Sequence, residues 1–574
     1  MGRPAAAPAG RRGPGAAIGA AVLAHLLWAA STSAERNPSL ADIELQVATA
    51  QQLAERGQFD AALAKLEAVV RSTVHPGVRL LTAKLCFEHG RWRRSRQHFE
   101  ALARGEMTGS AEVWFSLGVI AERGDGDAAA AAAHYRKAVD RDPDHAAALA
   151  NLGTLLANSG RDSTAELDAA LALVTRAVAA DPSDTLARRN QRLIRRQKVE
   201  LRKRAELTAE AGRTETGHGK AKYTGQGTPE SEPTVTPADV CATVSPIPRE
   251  AAAGLSFKRF YKEYASAGRP VIITGGLPPS LAAWGIEAVE RRCGDAVVPL
   301  RTPAAGSWAG LAPSRNATLA EFFRELRGRA PTAVGGDARR LPYLFDYSLS
   351  ACGLEPPDVP TFFAHDFLQR VPPSKVGPSS FRDYWPSLFV GPAGTASELH
   401  VDGWCANFWS ALIRGRKRWT VFRKADTSRL YKNHLSGTFD VNMSAFRREA
   451  PPGVLCLGGV HAARFPLVRG AAALQAEMTA GEMLFVPAMS PHWVENVARH
   501  ADEQISVGLA GNYVDGTNLA CAAKALKAIG VDNADAKALG AELGSVAFDA
   551  TMNLDDAARW VPWDAYKGQW DAHL

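Results

Sequence analysis

From about residue 38 to 195 the apolar positions recur with a helical period, as in GQFDAALAKLEAVV, GRWRRSRQHFEALA and GDAAAAAAHYRKAVDRDPDHAAALANLGTLL. Apolar residues three and four apart share one face of a helix, so each stretch predicts an amphipathic helix with one side to bury. A longer period lies over the first. Gly57, Gly90, Gly124 and Gly160 end helix-like segments and are separated by 33, 34 and 36 positions. That is the spacing of paired-helix repeats, in which each unit buries its apolar side only against its neighbours. Residues 38–200 therefore predict an all-α solenoid, whose extended surface suits a protein or peptide partner.

The pattern then breaks twice. Residues 188–204, RRNQRLIRRQKVELRKR, carry a basic run at helical spacing, read as the solvated face of a last capping helix, with a nuclear address or an RNA-binding patch as the alternatives. Over 201–238 large apolar residues become scarce and Gly, Thr, Pro and charge follow without period, which predicts a flexible linker. Beyond it, FKRFYKEYASAGRPVIITGG reads as an amphipathic helix, a turn and a buried strand, and short strands recur up to about residue 516. Many short strands with polar residues on their inner faces predict a jelly roll over 239–516. Residues 517–574 return to helix, with Trp560, Trp563, Tyr566 and Trp570 as a packing anchor.

Within that jelly roll, ELHVDGW places His400 and Asp402 two apart. On an extended strand such side chains share a face, so an imidazole nitrogen and a carboxylate oxygen meet at one point. A third donor has to come from elsewhere, and His492 in GEMLFVPAMSPHWVENV follows an apolar strand and a Pro-rich turn. Each residue alone is more often structural; together, two histidines and a carboxylate with open positions are the donor set of non-haem Fe(II) oxygenases. Such iron needs a co-substrate to split O2, and 2-oxoglutarate would chelate through its keto-acid end while its far carboxylate seeks a cation. Lys417, in IRGRKRWTVF past a Gly-containing turn, is the candidate, folded back by a hairpin beside the His-x-Asp strand.

These residues carry a resemblance. FKRFYKEYASAGRPVIITGG (257–276), LPYLFDYSL (341–349), ELHVDGWCANFWSALIRGRKRW (398–419) and GEMLFVPAMSPHWVENV with GNY (481–513) resemble the JmjC domains, cupin-type 2-oxoglutarate oxygenases. The likeness leans to the arginine-demethylase/lysyl-hydroxylase and asparaginyl-hydroxylase branches and covers about half the chain. It implies His400, Asp402 and His492 as iron ligands, Lys417 as the co-substrate lysine, and Ser397 where the family usually has a threonine hydroxyl. It implies further that Asn407 and Asn512 are amides of the co-substrate pocket, and that the C-terminal helices form a homodimer. Trp114, Leu117, Gly118, Tyr135, Ala138 and Pro143 similarly resemble the tetratricopeptide pattern. The implied activity is Fe(II)- and 2-oxoglutarate-dependent hydroxylation of a protein side chain recruited by the repeats; a catalytically silent scaffold and a nuclear N-methyl demethylase are the alternatives.

Composition bears mainly on compartment. A chain of 574 residues, 46% hydrophobic and 22% charged, is globular and long enough for two cores. The net charge of +7 argues for solubility rather than a nucleic-acid partner. Arg3, Arg11 and Arg12 precede an apolar run from Ala16 to Ala30 and small residues at 31–34, the layout of a secretory signal over 1–34. That run is too short to span a membrane, and no later segment is long enough. Asn316-Ala-Thr and Asn442-Met-Ser are sequons compatible with passage through the endoplasmic reticulum; a nuclear location is the alternative. Seven cysteines without a C-x-x-C pair give no disulfide framework and no zinc cluster, and leave room for one or two bridges.

Overall fold

The computed structural model describes residues 40–217 and 239–545, apart from 74, 283, 305, 329–340, 355–357, 377–380, 448–449, 501–502 and 531–532, and then 560–562, 564 and 567. The expected leader over 1–34 lies outside the described residues, as do linker residues 218–238 and Trp563, Tyr566 and Trp570. The chain divides into two units between Leu201 and Arg202.

The first unit is built of helices in series: α1 (Leu40–Glu55), α2 (Phe59–Ser72), α3 (Pro76–Glu88), α4 (Trp92–Arg104), α5 (Ala111–Gly124), α6 (Ala128–Arg141), α7 (Ala146–Ser159), α8 (Thr164–Ala180) and α9 (Thr185–Gly217), the last belonging to this unit as far as Leu201. Their starts are set by polar caps. Ser110, Asp127 and Ser163 accept hydrogen bonds from the backbone N–H of Val113, Ala130 and Glu166, which otherwise lack a partner in the first turn. Gly57 and Gly90 have φ of 75° and 66° and stop α1 and α3, whereas Gly124 is the last residue of α5 and the left-handed turn there falls on Gly126 at φ 70°. Gly118 serves packing instead: a Cβ there would stand 2.5 Å from the Tyr135 ring, so α5 and α6 approach as closely as bare backbone allows. Phe99, Val119, Ile120 and Tyr135 are buried in the shared core of this array.

Helix α9 corrects the expected linker, which begins no earlier than residue 218. The stretch AELTAEAGRTETG holds only one large apolar residue, Leu207, but it has three Ala and three Glu, and a helix already nucleated by the packed turns before it continues through such residues. Ala187, Ile194, Gln197 and Glu200 face inward while Arg188, Arg195 and Arg196 are exposed, the solvated face expected of a final helix.

The second unit contains strands β1 (Val240–Pro246), β2 (Arg249–Ala251), β3 (Val271–Thr274), β4 (Val297–Pro303), β5 (Leu311–Thr318), β6 (Leu344–Ser348), β7 (Asp358–Pro360) and β8 (Ser387–Pro392). These are followed by β9 (Asn407–Arg414), β10 (Arg416–Phe422), β11 (Val454–Leu457), β12 (Ala472–Thr479), β13 (Met483–Val486), β14 (His492–Val497), β15 (Ile505–Tyr513) and β16 (Trp560–Pro562). A five-stranded sheet has the order β11-β1-β12-β10-β14 and a seven-stranded sheet the order β2-β3-β13-β9-β15-β8-β6. Alternation explains the larger sheet's unbroken apolar runs. Ile273, Phe485 and Leu509 pack on one side with Phe322 and Phe323, while Ile272, Leu484 and Phe408 pack on the other with Trp419, Val421 and Met478 of the smaller sheet. The result is the expected two-layered jelly roll.

Three expectations change here. β9 and β10 are joined through Gly415 at φ 82°, but they do not pair: β9 lies between β13 and β15, and β10 crosses into the smaller sheet between β12 and β14. The tail, expected to be helical, contributes the short strand β16, antiparallel to β7. Six of the seven cysteines are bridged, as Cys241–Cys456, Cys293–Cys352 and Cys405–Cys521, leaving Cys86 buried and free. Helices Leu519–Ile529 and Ala534–Ser545 close the unit, packing Leu526, Leu539 and Leu543 against Phe367 and Trp385. Among the described residues no helix is long and apolar enough to cross a membrane.

Candidate active site

The segment before β9 is an extended arm laid along β14 rather than a regular strand. It touches β14 through the pairs Ala396 with Glu495 and His400 with His492. His400 N–H donates to the His492 carbonyl at 3.0 Å, and His492 N–H donates back at 2.9 Å. Directly opposed residues of an antiparallel pair point their side chains the same way, which brings the two imidazoles to 4.3 Å between centroids. Asp402, two residues further in extended backbone, turns to the same side. Donor atoms of His400, Asp402 and His492 all lie within 4.8 Å of one another, with Asp402 Oδ2 4.0 Å from His492 Nε2.

Both rings are held so that one nitrogen is free. His400 Nδ1 lies 2.7 Å from the Glu398 carbonyl and His492 Nδ1 3.0 Å from that of Ser490, so each Nδ1–H donates outward and each Nε2 faces the centre as an acceptor. Electrostatics agree with a site made for a cation. Burial, helped by the neighbouring His492, holds His400 well below its ordinary value, and burial raises the Asp402 carboxyl against the opposing pull of His492. A divalent ion would reverse both tendencies by supplying the missing charge. The donor set and the free Nε2 atoms fit a 2-His-1-carboxylate metal centre.

Lys417 lies on the inner face of β10 with Trp419 and Val421, whereas Arg416 and Arg418 face outward and pair with Glu503, Glu477 and Glu495. Only 3% of Lys417 is exposed, and burial alone pulls its ammonium down to about 7. Among the described residues it has neither a carboxylate nor a hydrogen-bond partner; its nearest aromatic neighbour is the Phe389 ring, 5.5 Å from Nζ. Ser397 Oγ and Trp419 Nε1, on the same cavity wall, are buried and unpartnered as well. Buried polar groups left open in this way mark a place prepared for an anion with several oxygens.

His400, Asp402, His492, Lys417, Ser397 and Asn512 all line this one cavity, where Asn512 lies against Asp402 and favours its ionised form. Asn407 does not line it. Its Nδ2 donates to Thr517 Oγ1 at 3.2 Å and its Oδ1 accepts from Ala488 N–H at 2.9 Å, so this amide fastens the Pro-rich turn that delivers His492. Sequence reasoning missed several wall residues, among them Trp308 and Asp346. Trp308 sets its ring edge-on to His400 at 5.1 Å between centroids, and Asp346, at φ 58°, adds a like charge that raises Asp402 further. Asp346 belongs to the quoted LPYLFDYSL; Trp308 carries no signal in its own neighbourhood.

Two stacked sheets enclosing a His-x-Asp arm and a distant histidine define a metal-binding barrel of the cupin type. Accordingly, residues 257–514 match the Cupin-like domain family, and residues 47–106 and 119–185 match the Tetratricopeptide repeat family. The chain therefore carries a cupin-like domain match after two tetratricopeptide repeat matches. It is 29% identical over 170 residues to the human 2-oxoglutarate and iron-dependent oxygenase JMJD4, covering 28% of this chain and 33% of that protein. Similarity extends to the arginine-specific demethylase JMJ22 of Arabidopsis thaliana, 25% over 177 residues, 29% of this chain and 30% of the relative. The chicken JMJD4 protein is 25% identical over 198 residues, 31% of this chain and 37% of its own length. The chain thus spans about a third of the length of the curated relatives it matches.

Proposed function

We propose that the cupin-like domain is an Fe(II)- and 2-oxoglutarate-dependent oxygenase that hydroxylates a protein side chain, with the repeats recruiting the substrate. The observation that carries this is a two-histidine, one-carboxylate cluster sharing its cavity with a buried, uncompensated lysine. Similarity to relatives named as oxygenases dependent on iron and 2-oxoglutarate supports it.

His400, Asp402 and His492 would hold the iron, each histidine through Nε2. Bound there with 2-oxoglutarate and O2, the metal would supply the oxidising power to place one oxygen atom in a C–H bond, the other leaving in succinate as carbon dioxide is released. The protein's own part is orientation and exclusion. Lys417 pairs with the far carboxylate, Ser397 Oγ and Trp419 Nε1 are donors beside it, and Trp308 and Phe389 keep water from the reacting atoms. Acting on an N-methyl carbon, the same site would demethylate, as the name of the Arabidopsis relative suggests.

Compartment favours hydroxylation. Three disulfides in one unit support the secretory pathway over the nucleus, since such bridges persist where the surroundings are oxidising. Nuclear N-methyl substrates then drop behind. A homodimer through helices Leu519–Ile529 and Ala534–Ser545 is a further element of this reading, to be tested by sedimentation.

His400→Ala or Asp402→Ala is expected to abolish both iron binding and 2-oxoglutarate turnover while circular dichroism stays that of the wild type. Turnover by either variant at the wild-type rate in an iron-loaded assay overturns the assignment. Mass spectrometry of proteins captured on the full chain, searched for +16 shifts, would identify the acceptor.

A further inference from the structure

The carboxylate ligand sits on the least supported part of the site. His400 is fixed by two backbone hydrogen bonds to His492, and His492 is fixed by its place in β14. Asp402 lies beyond the last of those contacts, five residues before β9 begins at Asn407. Between them the chain makes a tight turn, Gly403–Cys405, in which two successive non-glycine residues take left-handed backbone, Trp404 at φ 42° and Cys405 at φ 62°. Side chains rarely adopt that conformation, and two in a row persist only where the surroundings over-determine them.

What over-determines them is visible. Cys405 is bridged to Cys521, in the helix Leu519–Ile529. Asn518, which opens that helix, donates from Nδ2 to the Cys405 carbonyl at 2.8 Å and accepts from Asp515 N–H at 2.8 Å. Trp404 packs against Phe381 and Trp385, which the same helix covers. A helix of the C-terminal region, distant in sequence from every metal-site residue except Asn512, therefore holds the turn that carries Asp402.

We propose that the Cys405–Cys521 bridge, with Asn518, is the positioning device for the Asp402 ligand, so that metal retention depends on this one disulfide. The proposal rests on the reading of His400, Asp402 and His492 as a metal site. Its structural half does not: the bridge fixes the 402–406 turn whether or not metal is bound.

The test compares the full chain as wild type with Cys405→Ser, Cys521→Ser and the double variant. Cys293→Ser/Cys352→Ser serves as a control that loses a bridge elsewhere. Amide hydrogen exchange of the metal-free proteins reads the turn directly. Residues 402–406 are expected to exchange faster in all three Cys405/Cys521 variants, to the same extent in the singles as in the double, because either substitution removes the whole bridge. Anaerobic Fe(II) titration is expected to show binding weakened about 10- to 100-fold in those three proteins, the usual effect of losing a support behind a ligand, and unchanged in the control. Unaltered exchange at 402–406 overturns the proposal, as does an additive effect of the two single substitutions or an equal loss of metal in the control. Faster exchange together with a wild type that binds no Fe(II) refutes the metal site and leaves the clamp standing. Should a variant fail to fold, Asn518→Ala, which keeps the bridge but removes the hydrogen bond to Cys405, is expected to shift the same two readings in the same direction by less; no change in either counts against the clamp.

Discussion

A buried ammonium with no carboxylate beside it is stable only if it loses its proton or gains an anion, and Lys417, drawn down to about 7, is in that position. Its folded value lies below the ordinary 10.5, so between those two pH values the unfolded chain binds more protons than the folded one. Ligand-free protein is therefore expected to gain stability as pH rises from about 7 to about 10.5, through this residue. A bound carboxylate raises the lysine's value instead, so 2-oxoglutarate affinity should be fullest below about 7 and fall as pH climbs above it. Calorimetric titration of anaerobic, iron-loaded protein checks this. Lys417→Ala should weaken binding by about 3 to 5 kcal/mol without loss of iron, and Lys417→Arg should flatten the pH dependence while fitting the ligand less well. Affinity unchanged in Lys417→Ala would place the carboxylate elsewhere. His400 and Asp402 were legible together because alternation over two extended residues decides which side a side chain takes, whereas Lys417 was reached through a hairpin that does not form and meets them by crossing into the other sheet. Trp308 and Asp346 were not legible: they reach the cavity from loops and strands whose path only the folded sheets determine. Asn407 differs in the other direction, since a family position suggested a ligand contact where local geometry engages one end of the amide with the Thr517 hydroxyl and the other with the Ala488 backbone N–H.

At the scale of elements, the repeat period was readable because glycine leaves a regular mark, and the structure gives the mark two physical meanings. Some glycines turn the chain; Gly118 and Gly153 let helices touch, a Cβ at Gly153 standing 2.6 Å from Val174. Tyr135, packed on Gly118, also ties three helices together, its hydroxyl donating to Glu122 at 2.9 Å and accepting from Asn151 at 3.2 Å. Gly118→Val should push that ring out and break the ties. We expect a loss of about 1 to 3 kcal/mol, the range for overpacking a dense core, measured by urea unfolding of the full chain followed by helical circular dichroism. A shift under about half a kcal/mol would mean that the helices slide apart at no cost and that the close approach is incidental. The β9–β10 connection was harder to read. A glycine between two strand-like runs looks like an ordinary hairpin, and nothing local records that the second run crosses to the other layer. That crossing is what brings Lys417 onto the sheet that also bears His492, four ladder positions from it, Lys417 opposite Asn496 and Val421 opposite His492.

For the molecule as a whole, the cysteines divide along the same line as the two units. The six bridged residues lie between Cys241 and Cys521, and the helical array holds only Cys86, buried with its thiol pushed up to about 11 by burial. The bridges link positions 215, 59 and 116 residues apart, so no local spacing announced them; only the folded sheets bring the partners together. Each closes a long loop, and removing a native bridge typically costs about 2 to 5 kcal/mol. Two outcomes follow for protein purified from its own cells. Unfolding in denaturant with a thiol reagent and no reductant should release one thiol of the seven cysteines if the chain matures in the secretory pathway, and seven if it resides where glutathione keeps thiols reduced. Adding reductant before a thermal scan should lower the unfolding midpoint of the cupin-like domain and leave the helical melt where it was, since the array has no bridge to lose. Seven thiols in the unreduced protein, or a helical melt that moves with the reductant, would refute the secretory reading in the first case and the independence of the array from the bridges in the second.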